Sequence, residues 1–132
     1  MNNKEIASLI AEKLLDRKAK NITIIDIGEK SSFADFFINL TAGSERQLSA
    51  LSDYAEEIAI ESGLEIKSST GKNSKGWILV DCGDIIINIF TEKMRDKYDL
   101  DRLWSDCEIK TIDWLWFVLR SEEWKTDIIL KI

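Results

Sequence analysis

Two carboxylates and a thiol stand within four residues at Asp81-Cys82-Gly83-Asp84, between the apolar runs WILV and IIINIF. Acids paired this closely could catalyse a reaction while holding a magnesium ion. The chain has no histidine, so catalysis of the Cys-His or Ser-His kind lacks its base. Because only Cys82 and Cys107 could supply sulfur, we expect two free thiols and no zinc site built from this chain alone.

The apolar runs on either side of these acids predict two strands that form a hairpin, with Cys82-Gly83 as a two-residue loop and Gly83 at positive φ. In that register Asp81 faces Asp84, and Trp77 faces Asn88. Side chains alternate between the two faces of a strand. One face is then wholly aliphatic and is predicted to be core: Ile78, Val80, Ile85, Ile87 and Ile89. The other face is mixed: Trp77, Leu79, Asp81, Asp84, Ile86, Asn88 and Phe90.

Three interpretations of the mixed face remain open. Its polar residues could simply meet water on a half-covered sheet. Asp81 and Asp84 could be paired catalytic acids in a nucleotide-handling enzyme. The face could instead bind a macromolecular partner, because an aromatic centre with an acidic rim is typical of interface hot spots.

The remaining elements are read from periodicity and from residues that begin or end helices. Ser44 predicts a helix start, with Gln47 reaching back as in a capping box, and Gly63 predicts the left-handed stop. Thr91 and Glu92 suit the start of a further helix. The other predicted elements are a helix over residues 3–19 and strands over 21–27, 34–41 and 64–68, with a loop over 69–76. The resulting order, αββαβββα, indicates a single α/β or α+β layer fold.

Composition limits the function classes further. A chain of 132 residues fits one domain, and its net charge of −6 argues against binding bare nucleic acid through phosphate neutralisation. A basic protein patch on a nucleoprotein would still attract it. No secretory signal, transit peptide or membrane-length apolar run is recognisable, so we expect a cytoplasmic protein with no membrane contact.

One pattern favours the enzyme interpretation. Gly43-Ser44 at a helix start after a strand is similar to the nucleotidyltransferase motif, in which an Asp-x-Asp pair follows about ten residues later. The matching positions here are Asp53-Tyr54-Ala55, so the second carboxylate is missing. The fold could be shared, but the metal-binding chemistry is not supplied.

Four motifs together resemble the ribosomal silencing factor (Iojap-like, RsfS) family. They are Ser31-Ser32 before Ala34-Asp35, the Gly43-Ser44-x-Arg46 helix start, Trp77 before Asp81-x-Gly83-Asp84, and Tyr98-x-Leu100-x-x-Leu103-Trp104. The resemblance covers residues 1–105, and we expect residues 106–132 to be a C-terminal extension. Three tryptophans make that extension too apolar for a free tail: Trp114, Trp116 and Trp124. We favour an added helix or strand packed on the domain over a second partner surface or a poorly ordered end.

The resemblance implies a mixed β-sheet flanked by helices, similar to the nucleotidyltransferase fold but with no activity and no cofactor. It implies binding to the large ribosomal subunit through ribosomal protein fourteen, which blocks joining of the small subunit and represses translation when nutrients are scarce. Crystallised members of the family are often homodimers, so a homodimer is one expected state. No direct sequence-specific contact with nucleic acid is expected.

The residues expected to bind the partner combine aromatic anchors, acids and one amide: Trp77, Asp81, Asp84, Asn88, Glu92, Tyr98 and Trp104. Trp77 and Tyr98 are predicted anchors, and the three acids are predicted partners for Lys or Arg. Asn88 is predicted to be a hydrogen-bonding link, at a position where many relatives carry His. An amide keeps the hydrogen bonding but cannot become cationic. Asp81 and Asp84 could instead hold the turn, and Trp104 could close the core.

Overall fold

The β-branched and aromatic runs of the sequence form strands, and the amphipathic segments form helices. A computed structural model describes residues 1–74 and 76–116. The elements within these ranges are α1 Asn3–Asp16, β1 Lys20–Asp26, β2 Phe36–Ala42, α2 Glu45–Glu61, β3 Ser68–Thr70, β4 Trp77–Asp81, β5 Ile85–Thr91, α3 Glu92–Tyr98, α4 Leu100–Leu103 and β6 Glu108–Ile112. The predicted single α/β domain and the order of its first eight elements are confirmed. Helix α4 was not predicted, and strand β6 lies in the C-terminal extension, for which we favoured an added helix or strand.

The described strands form one mixed sheet in the order β3-β4-β5-β2-β1-β6. Neighbouring strands are antiparallel except β2 and β5, which pair in parallel with Phe36 beside Ile85 and Ala42 beside Thr91. A parallel pair needs a long crossover, and the segment through α2, β3 and β4 supplies it. This order places β5 and β2 at the centre of the sheet.

Helices α1 and α2 cover one face of the sheet and bury the main core. Ile6, Ile10 and Leu14 form the apolar stripe of α1, and Leu48, Leu51 and Ile58 form that of α2. The predicted aliphatic face of the hairpin lies against these helices. Each of its residues is at most 1% exposed, which confirms the core assignment: Ile78, Val80, Ile85, Ile87 and Ile89.

The predicted register of the β4–β5 hairpin is wrong by two positions. Trp77 pairs with Phe90 rather than Asn88, and Asp81 pairs with Ile86 rather than Asp84. The loop is longer because Asp84 already belongs to the contact with β2, where its carbonyl accepts the N–H groups of Asp35 and Phe36. A shift of two positions leaves every side chain on its predicted face, whereas a shift of one would have reversed them.

Several predicted helix and strand ends needed correction. Helix α1 ends at Asp16 rather than 19, because Lys18 takes a left-handed φ of 68° in the turn to β1. Strand β3 begins at Ser68 rather than 64. Ser44 caps α2 as predicted by accepting the Gln47 N–H at 3.1 Å, but the Gln47 side chain accepts the N–H of Gly43 instead of closing the box on Ser44.

The described part of the C-terminal extension continues the sheet. Strand β6 pairs antiparallel with β1, placing Ile109 beside Ile25 and Ile112 beside Ile22. Ile112 is 1% exposed, and Trp116 packs against the main core. The expectations for Trp124 and for the rest of residues 117–132 lie outside the described residues.

Candidate functional site

The second face of the sheet carries polar side chains at its centre. Thr23 on β1, Asn39 and Thr41 on β2, and Asn88 on β5 all point away from α1 and α2, each between apolar neighbours on its own strand. Asn39, Thr41 and Asn88 are at most 1% exposed. Buried polar groups are costly unless they are hydrogen-bonded, so their partners decide what this face can do.

A chain of hydrogen bonds runs from Trp77 across this face. The indole Nε1–H of Trp77 donates to Asn88 Oδ1 at 3.1 Å, and Asn88 Nδ2 donates to Asn39 Oδ1 at 3.0 Å. Asn39 Nδ2 in turn donates to Asp101 Oδ1 at 3.3 Å. Indole nitrogen can only donate and an ionised carboxylate can only accept, so the two ends set the direction of every bond between them.

Arg95 connects the Asp101 end of this network to Thr41 and Thr23. Its Nη2 lies 3.1 Å from Asp101 Oδ1 in an ion pair, and its Nε donates to the same oxygen at 3.2 Å. The guanidinium also donates to Thr41 Oγ1 and Thr23 Oγ1, each at 3.2 Å. Thr23 Oγ1 donates to Asp101 Oδ2. Arg95 on α3 and Asp101 on α4 are thereby tied to β1 and β2.

Trp77 stands at the border between this network and solvent. Its ring centroid is 5.0 Å from that of Phe90 and 4.8 Å from that of Tyr98. Trp77 is half-buried, whereas Tyr98 is 43% exposed. We call these two rings the Trp77–Tyr98 pair. Aromatic pairs in contact at such distances are stabilising, and both ring types combine an apolar body with a polar N–H or O–H group.

An open groove of about 580 Å³ runs beside the Trp77–Tyr98 pair. Glu45 and Lys93 contribute charge of opposite sign to its lining, and Gly76 and Met94 also line it. A Cβ atom on Gly76 would lie 2.3 Å from Cγ of Met94. Glycine at this position therefore lets α3 approach the segment that leads into Trp77.

The two acids of the hairpin each make local hydrogen bonds. Asp81 is half-buried and accepts the N–H of Gly83 at 2.8 Å, which stabilises the loop. Gly83 has a φ of 86°, and its positive sign was predicted. Asp84 is exposed and accepts from Asn3 Nδ2 at 3.2 Å; the same amide donates to Asp35 at 3.0 Å. Residues 1–74 and 76–116 contain no group of three or more Asp, Glu, Cys or His that could hold a metal ion.

The thiol between the acids is buried, with 6% of Cys82 exposed. Burial raises the pKa of Cys82 to about 11, and the negative charges of Asp81 and Glu56 add to the effect. The reactive form of cysteine is the thiolate, which is scarce at neutral pH when the pKa is that high. Cys82 and Cys107 are both free thiols, as predicted.

The nucleotidyltransferase pattern also lacks its site in three dimensions. Asp53 lies on the exposed side of α2, 3.6 Å from Nζ of Lys72, while Ala55 is fully buried in the core. Lys72 also pairs with Glu56 at 2.8 Å. A lysine held by Asp53 and Glu56 indicates a contact between residues 71–74 and α2, not an acid pair open to a metal.

The structure brings together only some of the predicted site residues. Trp77, Asn88 and Tyr98 are in contact, directly or through Trp77. Trp104 packs edge-on against Phe37 at 5.8 Å, in a separate apolar cluster. Glu92 is exposed in the first turn of α3, and Asp81 and Asp84 lie at the hairpin loop. Asn88 does link by hydrogen bonds, but at 1% exposure its partners are inside the protein.

Sequence reasoning missed Arg95, Asp101, Asn39, Thr23 and Thr41. A signal was present, because the polar residues interrupt the apolar strands NITIIDI and FFINLT at alternate positions. Alternation alone predicts a solvated face, however. Burial by α3 and α4 converts that face into a hydrogen-bonded network.

No helix within residues 1–74 and 76–116 has both the length and the apolar character needed to cross a membrane.

Comparison with known proteins gives a consistent result. A family model described as "Ribosomal silencing factor during starvation" matches residues 1–127. A ribosomal silencing factor from Halalkalibacterium halodurans is 33% identical over 106 residues, which cover 80% of this chain and 91% of that protein. Its counterpart from Chromobacterium violaceum is 36% identical over 105 residues, which cover 80% and 86%. A crystal structure from C. violaceum matches with a TM-score of 0.75 and 35% identity, covering 80% of this chain and 88% of that one. The chain belongs to the ribosomal silencing factor family.

Proposed function

We propose that this protein is a ribosomal silencing factor that acts by binding and not by catalysis. It binds the large ribosomal subunit through ribosomal protein fourteen, covers the face that joins the small subunit, and represses translation when nutrients are limiting. Family membership and the names of the relatives support the silencing role. Binding through ribosomal protein fourteen and the block of subunit joining are what the resemblance to the family implies. A cytoplasmic location and a homodimeric resting state are part of the same proposal.

The observation that carries the proposal is the Trp77–Tyr98 pair beside its groove. Interface hot spots are enriched in Trp and Tyr, because a rigid ring buries a large area while losing little conformational entropy. Both rings reach the surface here, and Trp77 is already fixed by its hydrogen bond to Asn88. A pre-ordered aromatic surface reduces the entropy lost on binding.

Charge supports a basic partner. The net charge of the chain is −6, and Asp84 and Glu92 are exposed. Asp81 lies on the same face of β4 as Trp77 and four residues away, which is about 13 Å along a strand. We propose that Asp81, Asp84 and Glu92 contact Lys or Arg side chains, and that Trp104 extends the apolar surface. Asn88 takes part only by holding Trp77.

The test is co-sedimentation of the protein with purified large subunits, together with light scattering to follow subunit joining. We expect the unmodified protein to bind and to inhibit joining. Trp77→Ala should weaken binding at least about tenfold, because truncating a central interface aromatic typically costs about 2 kcal/mol or more. Glu92→Gln should be milder, since a rim charge contributes less.

Trp114→Ala is the matched control, because Trp114 is 72% exposed and outside the Trp77–Tyr98 pair. Thermal melting must be measured on the same preparations, since Trp77 also packs on Phe90. A folded Trp77→Ala variant that binds as tightly as the parent would remove Trp77 as an anchor. No association of the parent with large subunits would overturn the proposed function.

A further inference from the structure

We propose that Arg95 and Asp101 are positioning residues for the Trp77–Tyr98 pair, although neither side chain belongs to that surface. The inference rests on the proposed function, because it concerns how the partner-binding rings are held. It goes further because it predicts that the Arg95–Asp101 ion pair affects the affinity for the partner. This ion pair lies at the opposite end of the hydrogen-bond chain from Trp77.

Helices α3 and α4 are not held in place by burial. They have seven and four residues, and none of these residues is buried. Isolated helices this short are unstable in water. Besides the contacts of Tyr98 with Trp77 and of Trp104 with Phe37, their ties to the sheet are hydrogen bonds. Arg95 donates to Thr41 and Thr23, and Asp101 accepts from Asn39 and Thr23. The side chains of Arg95 and Asp101 are only 13% and 22% exposed, so these bonds are weakly screened by solvent.

The ion pair fixes Tyr98 through α3. Arg95 and Tyr98 are three residues apart on the same helix and are therefore neighbours along its surface. When the guanidinium is fixed above β1 and β2, the helix cannot rotate about its axis, and the Tyr98 ring remains 4.8 Å from that of Trp77. Without the guanidinium, helix α3 keeps its cap at Thr91 but loses this tie to the sheet.

The same ion pair fixes Trp77 through the amides. Arg95 keeps the Asp101 carboxylate at the end of the chain, where it accepts from Asn39. That bond orients the Asn39 amide so that its oxygen faces Asn88, and Asn88 then presents its own oxygen to the Trp77 indole. The Arg95–Asp101 ion pair thus orients both rings. It acts on Tyr98 through helix α3 and on Trp77 through the two asparagine amides.

If this inference is correct, removing the ion pair should weaken binding of the partner although every atom of the Trp77 and Tyr98 rings is still present. Arg95→Met keeps most of the side-chain length and removes the charge and the donors. Both rings remain, but the partner must order them on binding, which we expect to weaken binding roughly fivefold to tenfold. Arg102→Met is the matched control, because Arg102 is an exposed arginine adjacent to Asp101 in sequence.

Fluorine NMR of protein labelled with 3-fluorotyrosine reports the position of Tyr98 directly. The chain has two tyrosines, so two resonances are expected, and Tyr54→Phe identifies them. The Trp77→Leu variant gives a reference value, which is the fluorine chemical shift of Tyr98 when no indole lies beside it. In Arg95→Met the Tyr98 resonance should move toward that reference or broaden, while in Arg102→Met it should not. Loss of stability alone would leave the shift of the folded protein unchanged.

Binding to large subunits in a double-mutant cycle completes the test. If Arg95 acts through the rings, Arg95→Met should add little to the loss caused by Trp77→Ala with Tyr98→Ala. An unchanged Tyr98 resonance together with unchanged binding would overturn the positioning role and leave the proposed function intact. No association of the unmodified protein with large subunits, with the Tyr98 resonance still displaced in Arg95→Met, would instead refute the proposed function alone. If Arg95→Met does not fold, Asp101→Asn and Arg95→Lys make the same comparison.

Discussion

Asn88→Asp is a direct test of the direction of the amide chain. The change is nearly isosteric, and a neutral carboxyl at this position can still accept from Trp77 Nε1 and donate to Asn39 Oδ1. The ionised carboxylate cannot donate, so two acceptor oxygens would face each other near the present 3.0 Å. Rotating the Asn39 amide does not help, because its oxygen would then face the carboxylate of Asp101.

The magnitude and sign of the effect follow from burial. Position 88 is 1% exposed, so desolvation and the facing oxygen should both raise the pKa of the new carboxyl in the folded state, by about 3 units from about 3.9. The variant is least impaired below the unfolded pKa. Its stability relative to the parent then falls by about 1.4 kcal/mol per pH unit until the folded pKa is reached. Between about pH 5.5 and pH 7 the additional loss should be about 2 kcal/mol.

Urea denaturation of the variant and the parent at these two pH values measures the difference. Asn73→Asp is the matched control, since Asn73 is an exposed turn residue and should show almost no pH-dependent loss. Asn88→Leu should destabilise the fold equally at both pH values, because it has no proton to lose. A variant whose stability relative to the parent is the same at both pH values would refute the direction of the hydrogen bonds between Trp77 and Asp101.

Two further predictions concern packing and charge. Gly76→Ala should destabilise the fold by about 1–3 kcal/mol through overpacking, because the added Cβ would clash with Met94. Adding Met94→Ala should recover part of that loss, measured by urea denaturation. An undiminished loss in the double variant would contradict the assigned clash. Binding to large subunits should weaken as ionic strength rises, because the acidic surface is expected to meet a basic partner; co-sedimentation that is unchanged between low and high salt would count against the roles of Asp81, Asp84 and Glu92.

Local sequence patterns were sufficient to predict most of the elements. The alternation WILVD…IIINIF identified both strands of the hairpin and assigned each side chain to its correct face. Ser44 and Gly63 marked the ends of α2 correctly, because capping and positive φ depend on neighbouring residues. The hairpin register was wrong because it depends on Asp84 meeting β2, a contact between residues far apart in the chain.

The sequence by itself determined the first eight strands and helices, which residues of the hairpin are core, and the position of Trp77 on the other face. Only the tertiary structure decided that Asn39, Thr41 and Asn88 of that face are buried. Thr23, Asn39 and Asn88 come from three strands, and Arg95 and Asp101 come from two short helices that follow the last of them. A buried polar group is satisfied by whichever partner the fold brings within about 3 Å, and spacing along the chain does not encode that partner. The surface that we propose for binding is therefore readable in part from sequence, whereas the network that supports it is a property of the fold.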